Sequence, residues 1–221
     1  MISLARRVAA EAVGSGLLLT AVIGSGIMAE RLTAGNVALA LLANAAAVGA
    51  ALLTLITIFA PISQAHFNPV VSCLLAARRQ LTMKELVAVV AAQFIGAVAG
   101  VWWAHVMFGL PILQASLHAP GGPGPWAGEF TATFGLVLIV EGGRRHFAGA
   151  LPGVVAIFLM AAYWFTPSTS LANPAVTVAR ALTETFARLG VNDIAPFIIA
   201  QALGGCAGAV FSRWLYRPLA T

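Results

Sequence analysis

The sequence predicts an all-α membrane protein with six transmembrane helices and two short re-entrant half-helices, arranged as an inverted repeat. The first observation is composition, since 60% of the 221 residues are hydrophobic and only 9% are charged. Soluble domains carry about 25% charged residues, so this chain lacks the polar surface that a water-soluble protein needs. The second is the dipeptide Asn-Pro, which occurs at Asn68 and Asn173, between long apolar segments and about half the chain length apart.

Three apolar segments in the first half are long enough to span a bilayer, which takes about 20 residues. They are Val8–Met28, Val37–Ala60 and Leu86–Phe108. The intervening segment Pro61–Arg79 has an apolar run too short to span, and it contains the first Asn-Pro. We therefore expect a re-entrant half-helix there, because broken backbone at membrane depth must line a cavity or be buried in protein.

The second half follows the same plan after a proline- and glycine-rich segment, residues 120–125, which is predicted not to be helical. Its spans are predicted at Trp126–Glu141, Phe147–Phe165 and Ala195–Tyr216, and its half-helix within Thr166–Gly190. The chain is thus predicted to be one domain, residues 1–221, with repeats at roughly 1–110 and 120–221.

Three short motifs recur in the same order in both halves, which indicates duplication. Residues 10–14 resemble 128–132, residues 67–71 resemble 172–176, and residues 92–96 resemble 200–204. Because each half holds an odd number of spans, the second half enters the membrane from the opposite face, which makes the repeat inverted. The pairs Gly96 with Gly100 and Gly204 with Gly208 predict close contacts between helices.

Each Asn-Pro is predicted to start a helix, because Asn is a favoured N-cap and Pro is favoured at the first helical position. Two such starts in corresponding halves indicate half-helices that meet at a site between the repeats. The isolated cysteines Cys73 and Cys206 are predicted to be buried and inert, since their surroundings are apolar or small.

Basic residues give the predicted orientation, because cytoplasmic loops carry an excess of Lys and Arg. Three fall on one side of the predicted membrane, and nine fall on the other side, which places both termini in the cytoplasm. The three are Arg31, Arg180 and Arg188, and the nine are Arg6, Arg7, Arg78, Arg79, Lys84, Arg144, Arg145, Arg213 and Arg217. Because they lie at segment ends rather than on one face, the formal net charge of +5 does not indicate a nucleic-acid partner.

The paired Asn-Pro half-helices, a Glu in the first span of each half (Glu11 and Glu129) and the run of residues 63–69 together resemble the aquaporin (major intrinsic protein) family. The resemblance covers nearly the whole chain. It implies six tilted helices around one narrow pore per subunit, a homotetramer in the lipid bilayer, and no cofactor, metal or enzymatic activity. We expect a bacterial inner membrane.

The resemblance assigns the pore centre to the two half-helix starts, residues Asn68, Pro69, Val70, Asn173, Pro174 and Ala175. Opposed helix N-termini carry partial positive charge, which repels cations while neutral solutes pass. The Asn side chains are then donors to a passing oxygen, or else helix caps only. Val70 departs from the usual Ala and is expected to narrow the centre or to change the packing of the half-helices.

Intramembrane carboxylates are costly and usually have partners. The resemblance implies that Glu11 and Glu129 hold loop backbone in place, and a proton relay is the less favoured alternative because no chain of titratable neighbours accompanies them. His66 is interpreted as a hydrogen-bonded structural residue rather than a gate.

Family spacing places the selectivity filter at Val48, Ala161, Ser170 and Val176, with Val176 where most aquaporins have Arg. This small, mostly apolar set predicts a pore for neutral solutes larger than water. The missing Arg resembles bacterial aquaglyceroporins associated with arsenic resistance, which suggests glycerol-like polyols, undissociated arsenite and methylated arsenicals. Arg180, one turn beyond Val176, either points into the outer vestibule or is a solvated Arg at a helix end.

Three other functions are weighed against the solute channel. A water-selective aquaporin needs a bulky aromatic residue or His together with Arg at the filter. A secondary transporter also uses inverted repeats and broken helices, but needs coupling-ion ligands at the midplane, where no paired carboxylates are predicted. For an intramembrane enzyme, Ser63, Ser168, Ser170 and His66 supply hydroxyls and an imidazole, but no nucleophile motif or metal-ligand spacing joins them.

Overall fold

The computed structural model describes residues 2–116 and 121–216. Within these residues the chain forms eight α-helices and two short 3-10 helices, and no strand. The helices, in chain order, are α1 Leu4–Leu32, α2 Val37–Ser63, α3 Pro69–Ala77, α4 Met83–Met107, α5 Pro123–His146, α6 Leu151–Phe165, α7 Pro174–Arg180 and α8 Ile194–Leu215. The all-α prediction is therefore confirmed for the described part of the chain.

Five of these helical segments are long and apolar enough to cross a membrane. They are α1, α2, α4, α6 together with the 3-10 turn before it, and α8 together with the 3-10 turn before it. Helix α5 has 24 residues but does not reach the same apolarity, because it carries Glu129, Glu141, Arg144 and Arg145. Five of the six predicted spans thus meet the criteria of length and composition.

Helices α3 and α7, of 9 and 7 residues, are the short elements that the Asn-Pro motifs predict. Asn68 caps α3 by accepting a hydrogen bond from the backbone N–H of Val70, at 2.9 Å. Asn173 caps α7 by accepting from the N–H groups of Ala175 and Val176, at 3.0 and 3.4 Å. Each capped helix then begins at its proline, as the sequence motif predicts.

One of the predicted boundaries that are wrong lies at the start of α5. The proline- and glycine-rich segment was predicted to be non-helical throughout, but α5 begins at Pro123. Proline is tolerated in the first helical turn, because the N–H it lacks would have no helical partner there. Gly122 precedes the helix with φ +76°, a left-handed conformation that glycine adopts without steric cost. Pro120 lies outside the described residues.

The same close helix contacts occur in both halves of the chain. Helix α1 packs on α4, and α5 packs on α8. A Cβ added at Gly96 would overlap the carbonyl oxygen of Ala12, and one added at Gly204 would overlap that of Phe130. Gly100 and Gly208 approach the carbonyl oxygens of Gly16 and Phe134 in the same way. The predicted close contacts at both glycine pairs are therefore confirmed.

The prediction that the two cysteines are buried is wrong. Cys73 on α3 and Cys206 on α8 are both exposed on the outer surface of the helix bundle. In a protein surrounded by lipid the outer surface is apolar as well, so an apolar sequence environment does not distinguish burial from lipid exposure.

Candidate functional site

The two short helices meet through their N-terminal asparagines, which are linked to each other's loops. The side-chain Nδ2 of Asn68 donates to the carbonyl oxygen of Ala172 at 2.8 Å, and that of Asn173 donates to the carbonyl oxygen of Phe67 at 2.7 Å. An amide NH2 group has two hydrogens, so each asparagine keeps a second donor after making this cross-link. Both asparagines line an internal cavity.

The loop that leads into each half-helix has an unusual backbone. Residues at equivalent places in the two loops have positive φ although none is glycine, which is costly for residues with a Cβ. They are Gln64, Ala65 and Phe67 in the first loop, and Thr169, Ser170 and Ala172 in the second, with φ between 46° and 71°. Such strained segments persist only where neighbouring groups hold them, and two buried glutamates do so here.

Glu11 on α1 is fully buried and accepts four hydrogen bonds. Its Oε1 accepts from the N–H of His66 at 3.0 Å and from Ser63 Oγ at 2.6 Å. Its Oε2 accepts from the N–H of Phe67 at 2.8 Å and from Gln93 Nε2 at 2.7 Å. Because each oxygen has two donors, the carboxylate is well satisfied without water and fixes the backbone just before Asn68.

Glu129 on α5 has the equivalent position in the second half and is also fully buried. It accepts from the N–H groups of Leu171 and Ala172, at 2.9 and 2.8 Å, and from Gln201 Nε2 at 2.6 Å. Gln201 also donates to Thr177 Oγ1 at 2.8 Å, just as Gln93 donates to Ser72 Oγ at 2.9 Å. The loop before each asparagine is thus held by a Glu–Gln pair from two helices.

His66 lies in the first of these loops and is buried. Its Nδ1 is 3.0 Å from Ser72 Oγ, so the ring is hydrogen-bonded to α3. Its Nε2 has no hydrogen-bond partner among the described residues, and the side chain lines the cavity. The imidazole is therefore fixed to α3 through one ring nitrogen.

A cavity of about 100 Å³ runs past both asparagines. Arg144 and Gln64 line one end, which we call the Arg144 mouth, and Arg180 and Ser170 line the other, which we call the Arg180 mouth. The walls between them are mostly aliphatic, and the two halves contribute similar sets: Leu18, Val22, Val48, Leu52, Ile56 and Val71 from the first, and Leu136, Val140, Leu151, Val155, Leu159 and Val176 from the second. Polar groups are concentrated in the two loops.

Residues 1–142 match the sequence profile of the major intrinsic protein family. The chain is also 49% identical over 215 residues to aquaglyceroporin AqpS of Rhizobium meliloti (strain 1021), covering 97% of this chain and 92% of that protein. This chain belongs to the major intrinsic protein family. It is therefore an integral, multi-pass membrane protein of a channel family.

The fold is also that of a solved major intrinsic protein. The X-ray structure of the aquaglyceroporin from Plasmodium falciparum superposes with a TM-score of 0.68 over 98% of this chain and 97% of that chain. Sequence identity between the two is 19%, so the likeness concerns the fold alone.

Three of the four filter positions predicted for this major intrinsic protein line the cavity, namely Val48, Ser170 and Val176. The fourth, Ala161, was placed wrongly: it is exposed on the outer surface of α6, and Leu159 and Tyr163 line the cavity instead. Two residues along a helix correspond to a rotation of about 200°, so a two-residue error in counting moves a side chain from the inner to the outer face. The i, i+4 spacing of Leu159 and Tyr163 is the signal that identifies the inner face.

Val70 does not lie on the cavity. It points toward α8, where a Cβ added at Gly205 would lie 2.6 Å from Val70 Cγ1. Of the two outcomes expected for this residue, the structure therefore supports altered packing rather than a narrower centre. Pro69, Pro174 and Ala175 are buried in the first turns of the half-helices.

Arg180 is 7% exposed and lines the cavity at the mouth that bears its name. It donates through Nε to the carbonyl oxygen of Ala187 and through Nη1 to Thr169 Oγ1, at 3.3 Å for the latter. This burial excludes the solvated arginine that was the alternative interpretation. Tyr163 is also buried on the cavity wall, although family spacing did not assign it to the filter.

Proposed function

We propose that this protein is a passive channel for water and small uncharged solutes, namely glycerol-like polyols and neutral metalloid hydroxides such as arsenite and methylated arsenicals. The single observation that supports this most is a cavity that passes two cross-linked half-helix N-termini and has Val176, not Arg, on its wall. The similarity to the Rhizobium meliloti protein named aquaglyceroporin AqpS supports the polyol part of the proposal.

The polar groups of the cavity suit neutral solutes that carry hydroxyls. The free amide hydrogens of Asn68 and Asn173 donate to solute oxygens at the centre. The partial positive charge at the two helix N-termini raises the energy of a cation there. Aliphatic walls meet the carbon-bearing side of a polyol or a methylated arsenical.

The proposed topology comprises six tilted spans, with α5 as the fourth, and α3 and α7 as re-entrant half-helices. The Arg144 mouth would face the cytoplasm, because eight of the nine basic residues predicted for that side are described and carry the positive-inside signal; Arg217 lies outside the described residues. A homotetramer in a bacterial inner membrane completes the proposal.

Stopped-flow light scattering on proteoliposomes tests this function with water, glycerol and neutral arsenite in parallel. Wild-type vesicles should take up all three faster than empty vesicles, with rates linear in solute concentration. Val176→Arg should slow the solutes much more than water, because it adds both bulk and charge at the wall. Val176→Leu is the matched control, since it adds volume without charge.

A water-selective channel is the second candidate, and the pairing of Tyr163 with Arg180 at one mouth favours it. These residues together supply the bulk and the charge that a water filter requires. Fast water flux without glycerol or arsenite flux would establish this candidate and overturn the solute channel. Saturable or gradient-driven uptake would instead indicate a secondary transporter.

A further inference from the structure

A second arginine lies on the cavity wall, at the end opposite Arg180. Arg144, near the end of α5, is half-buried and lines the cavity together with Gln64. Its Nη2 donates to Gln64 Oε1 at 2.8 Å and to Gln80 Oε1 at 2.6 Å. The two glutamines come from different segments, one after α2 and one after α3, so the guanidinium is held in place from two sides.

Arg144 and Arg180 each donate a hydrogen bond to a loop residue, and these two acceptor residues occupy equivalent places in the two loops. Gln64 directly precedes Ala65 in the first loop, and Thr169 directly precedes Ser170 in the second. Gln64 and Thr169 both have positive φ, of 71° and 59° respectively. Arg144 donates a hydrogen bond to Gln64, and Arg180 donates one to Thr169. Each mouth of the cavity therefore has one arginine fixed to the start of its re-entrant loop.

Among the described residues, Arg144 forms no direct ion pair with a carboxylate, although Glu141 is near enough to attract it. Glu141 lies one turn before it on α5, but Glu141 Oε1 pairs with Arg78 at 2.9 Å and Oε2 pairs with Arg145 at 3.2 Å. In residues 2–116 and 121–216, the ion pairs formed by carboxylates do not include Arg144. The two acceptors of Arg144 Nη2 are neutral amide oxygens, so its positive charge is directed at the mouth.

We infer that Arg144 is a charge-selecting residue at the Arg144 mouth of this pore, with Gln64 and Gln80 as its positioning residues. It repels cations, including hydronium, from the Arg144 mouth and lets uncharged solutes pass. The inference rests on the proposed channel function. Together with Arg180, Arg144 gives a pore that has Val176 in place of a filter Arg one positive charge at each mouth.

The size of the effect of Arg144 on cation flux can be estimated from its unit charge. A unit charge roughly 8 Å from a cation, at an effective dielectric constant near 20, lowers cation occupancy by about tenfold or more. Salt screens this interaction, since the Debye length falls from about 30 Å at 0.01 M to about 3 Å at 1 M. An uncharged solute has no such energy difference, so removal of the charge should change cation flux and not neutral-solute flux.

Proteoliposomes test this with two readouts in the same preparations: glycerol flux by light scattering, and proton leak by an entrapped pH dye after a pH jump. Arg144→Gln and Arg144→Met remove the charge, Arg144→Lys keeps it, and Arg145→Gln is the matched control because Arg145 lies outside the cavity. Both neutral variants should raise proton leak by about tenfold at 10 mM salt and by less at 1 M salt. The Lys variant and the control should stay near wild type.

Proton leak through Arg144→Gln and Arg144→Met at the wild-type rate would overturn the inference. So would a leak through Arg144→Lys as large as theirs, because geometry rather than charge would then be responsible. Glycerol flux in each variant reports that its pore is folded. Absence of glycerol flux in the wild type would overturn the proposed solute channel but not the role of Arg144. A water-selective pore would still need a positive charge at this mouth to repel cations.

Discussion

Replacement of Glu129 by Gln gives the sharpest test of how the second loop is held. Glu129 Oε1 accepts from the N–H of Leu171, and Oε2 accepts from the N–H of Ala172 and from Gln201. A glutamine has one acceptor oxygen, so its best orientation keeps the two donors at the Oε2 position and turns NH2 toward Leu171. One buried N–H then loses its partner and faces another donor.

The cost can be worked from these contacts. An unsatisfied buried N–H costs about 1–3 kcal/mol, and the loss of charge weakens each of the two remaining hydrogen bonds by about 1 kcal/mol. The sum is about 3–5 kcal/mol. For chains of 150–250 residues each kcal/mol lowers Tm by about 2–4 °C, so we expect a decrease of about 6–20 °C.

The assay is thermal unfolding in one detergent, with Glu30→Gln as control. Glu30 is an exposed glutamate near the end of α1, so its replacement should change Tm by less than about 2 °C. Water flux through Glu129→Gln should also fall, because Ala172 carries the carbonyl oxygen to which Asn68 is linked. A Tm decrease no larger than that of the control would show that the carboxylate does not hold the loop.

Three further outcomes follow from single residues. Gly96→Ala should lower the free energy of unfolding by about 1–3 kcal/mol, because the added Cβ would overlap the Ala12 carbonyl oxygen. Gly124→Ala is the control, since open space surrounds Gly124, and it should be neutral or stabilising in the same Tm assay. Asn68→Ala removes a helix cap and the link to Ala172, so a loss of about 1–3 kcal/mol and reduced water flux are expected; an unchanged Tm would contradict the cross-link. Arg180→Ala should raise the ratio of glycerol to water flux, and an unchanged ratio would mean that Arg180 does not contribute to selectivity.

Helix starts that are set by residues adjacent in the sequence could be predicted from the sequence. Asn-Pro gave the starts of α3 and α7 because capping and a fixed φ act within one turn. Counting along the chain failed for Ala161, because a side chain's direction around a helix depends on register and not on approximate position. Such an error cannot be detected from apolarity alone when both faces of α6 are apolar.

The role proposed for Arg144 was hidden for a different reason. In the sequence it is one of nine basic residues at segment ends, where arginine serves as a topology signal. Its partners, Gln64 and Gln80, are 80 and 64 residues away in the chain, so only the folded structure brings the three side chains together. Exposed positions such as Cys73 show the same limit, since their apolar surroundings in the sequence predicted burial.

The two halves share the groups that hold the loops, but not the groups that carry charge. Glu11 and Glu129 occupy equivalent positions, whereas Arg180 on α7 has Leu75 as its counterpart on α3. Loop geometry and charge selection should therefore be separable by mutation. The double variant Arg144→Gln with Arg180→Gln should keep most of the wild-type water flux, whereas Glu129→Gln should lose much of it.

The two arginines lie at opposite mouths, and separated sites act additively in free energy. If both charges raise the energy of a cation at one rate-limiting barrier between the two mouths, their contributions to that barrier add, and their fold-changes in proton leak should multiply in the double variant. A double variant that leaks no more than the leakier single variant would mean that another barrier, such as the one at the two half-helix N-termini, limits the leak once either charge is removed.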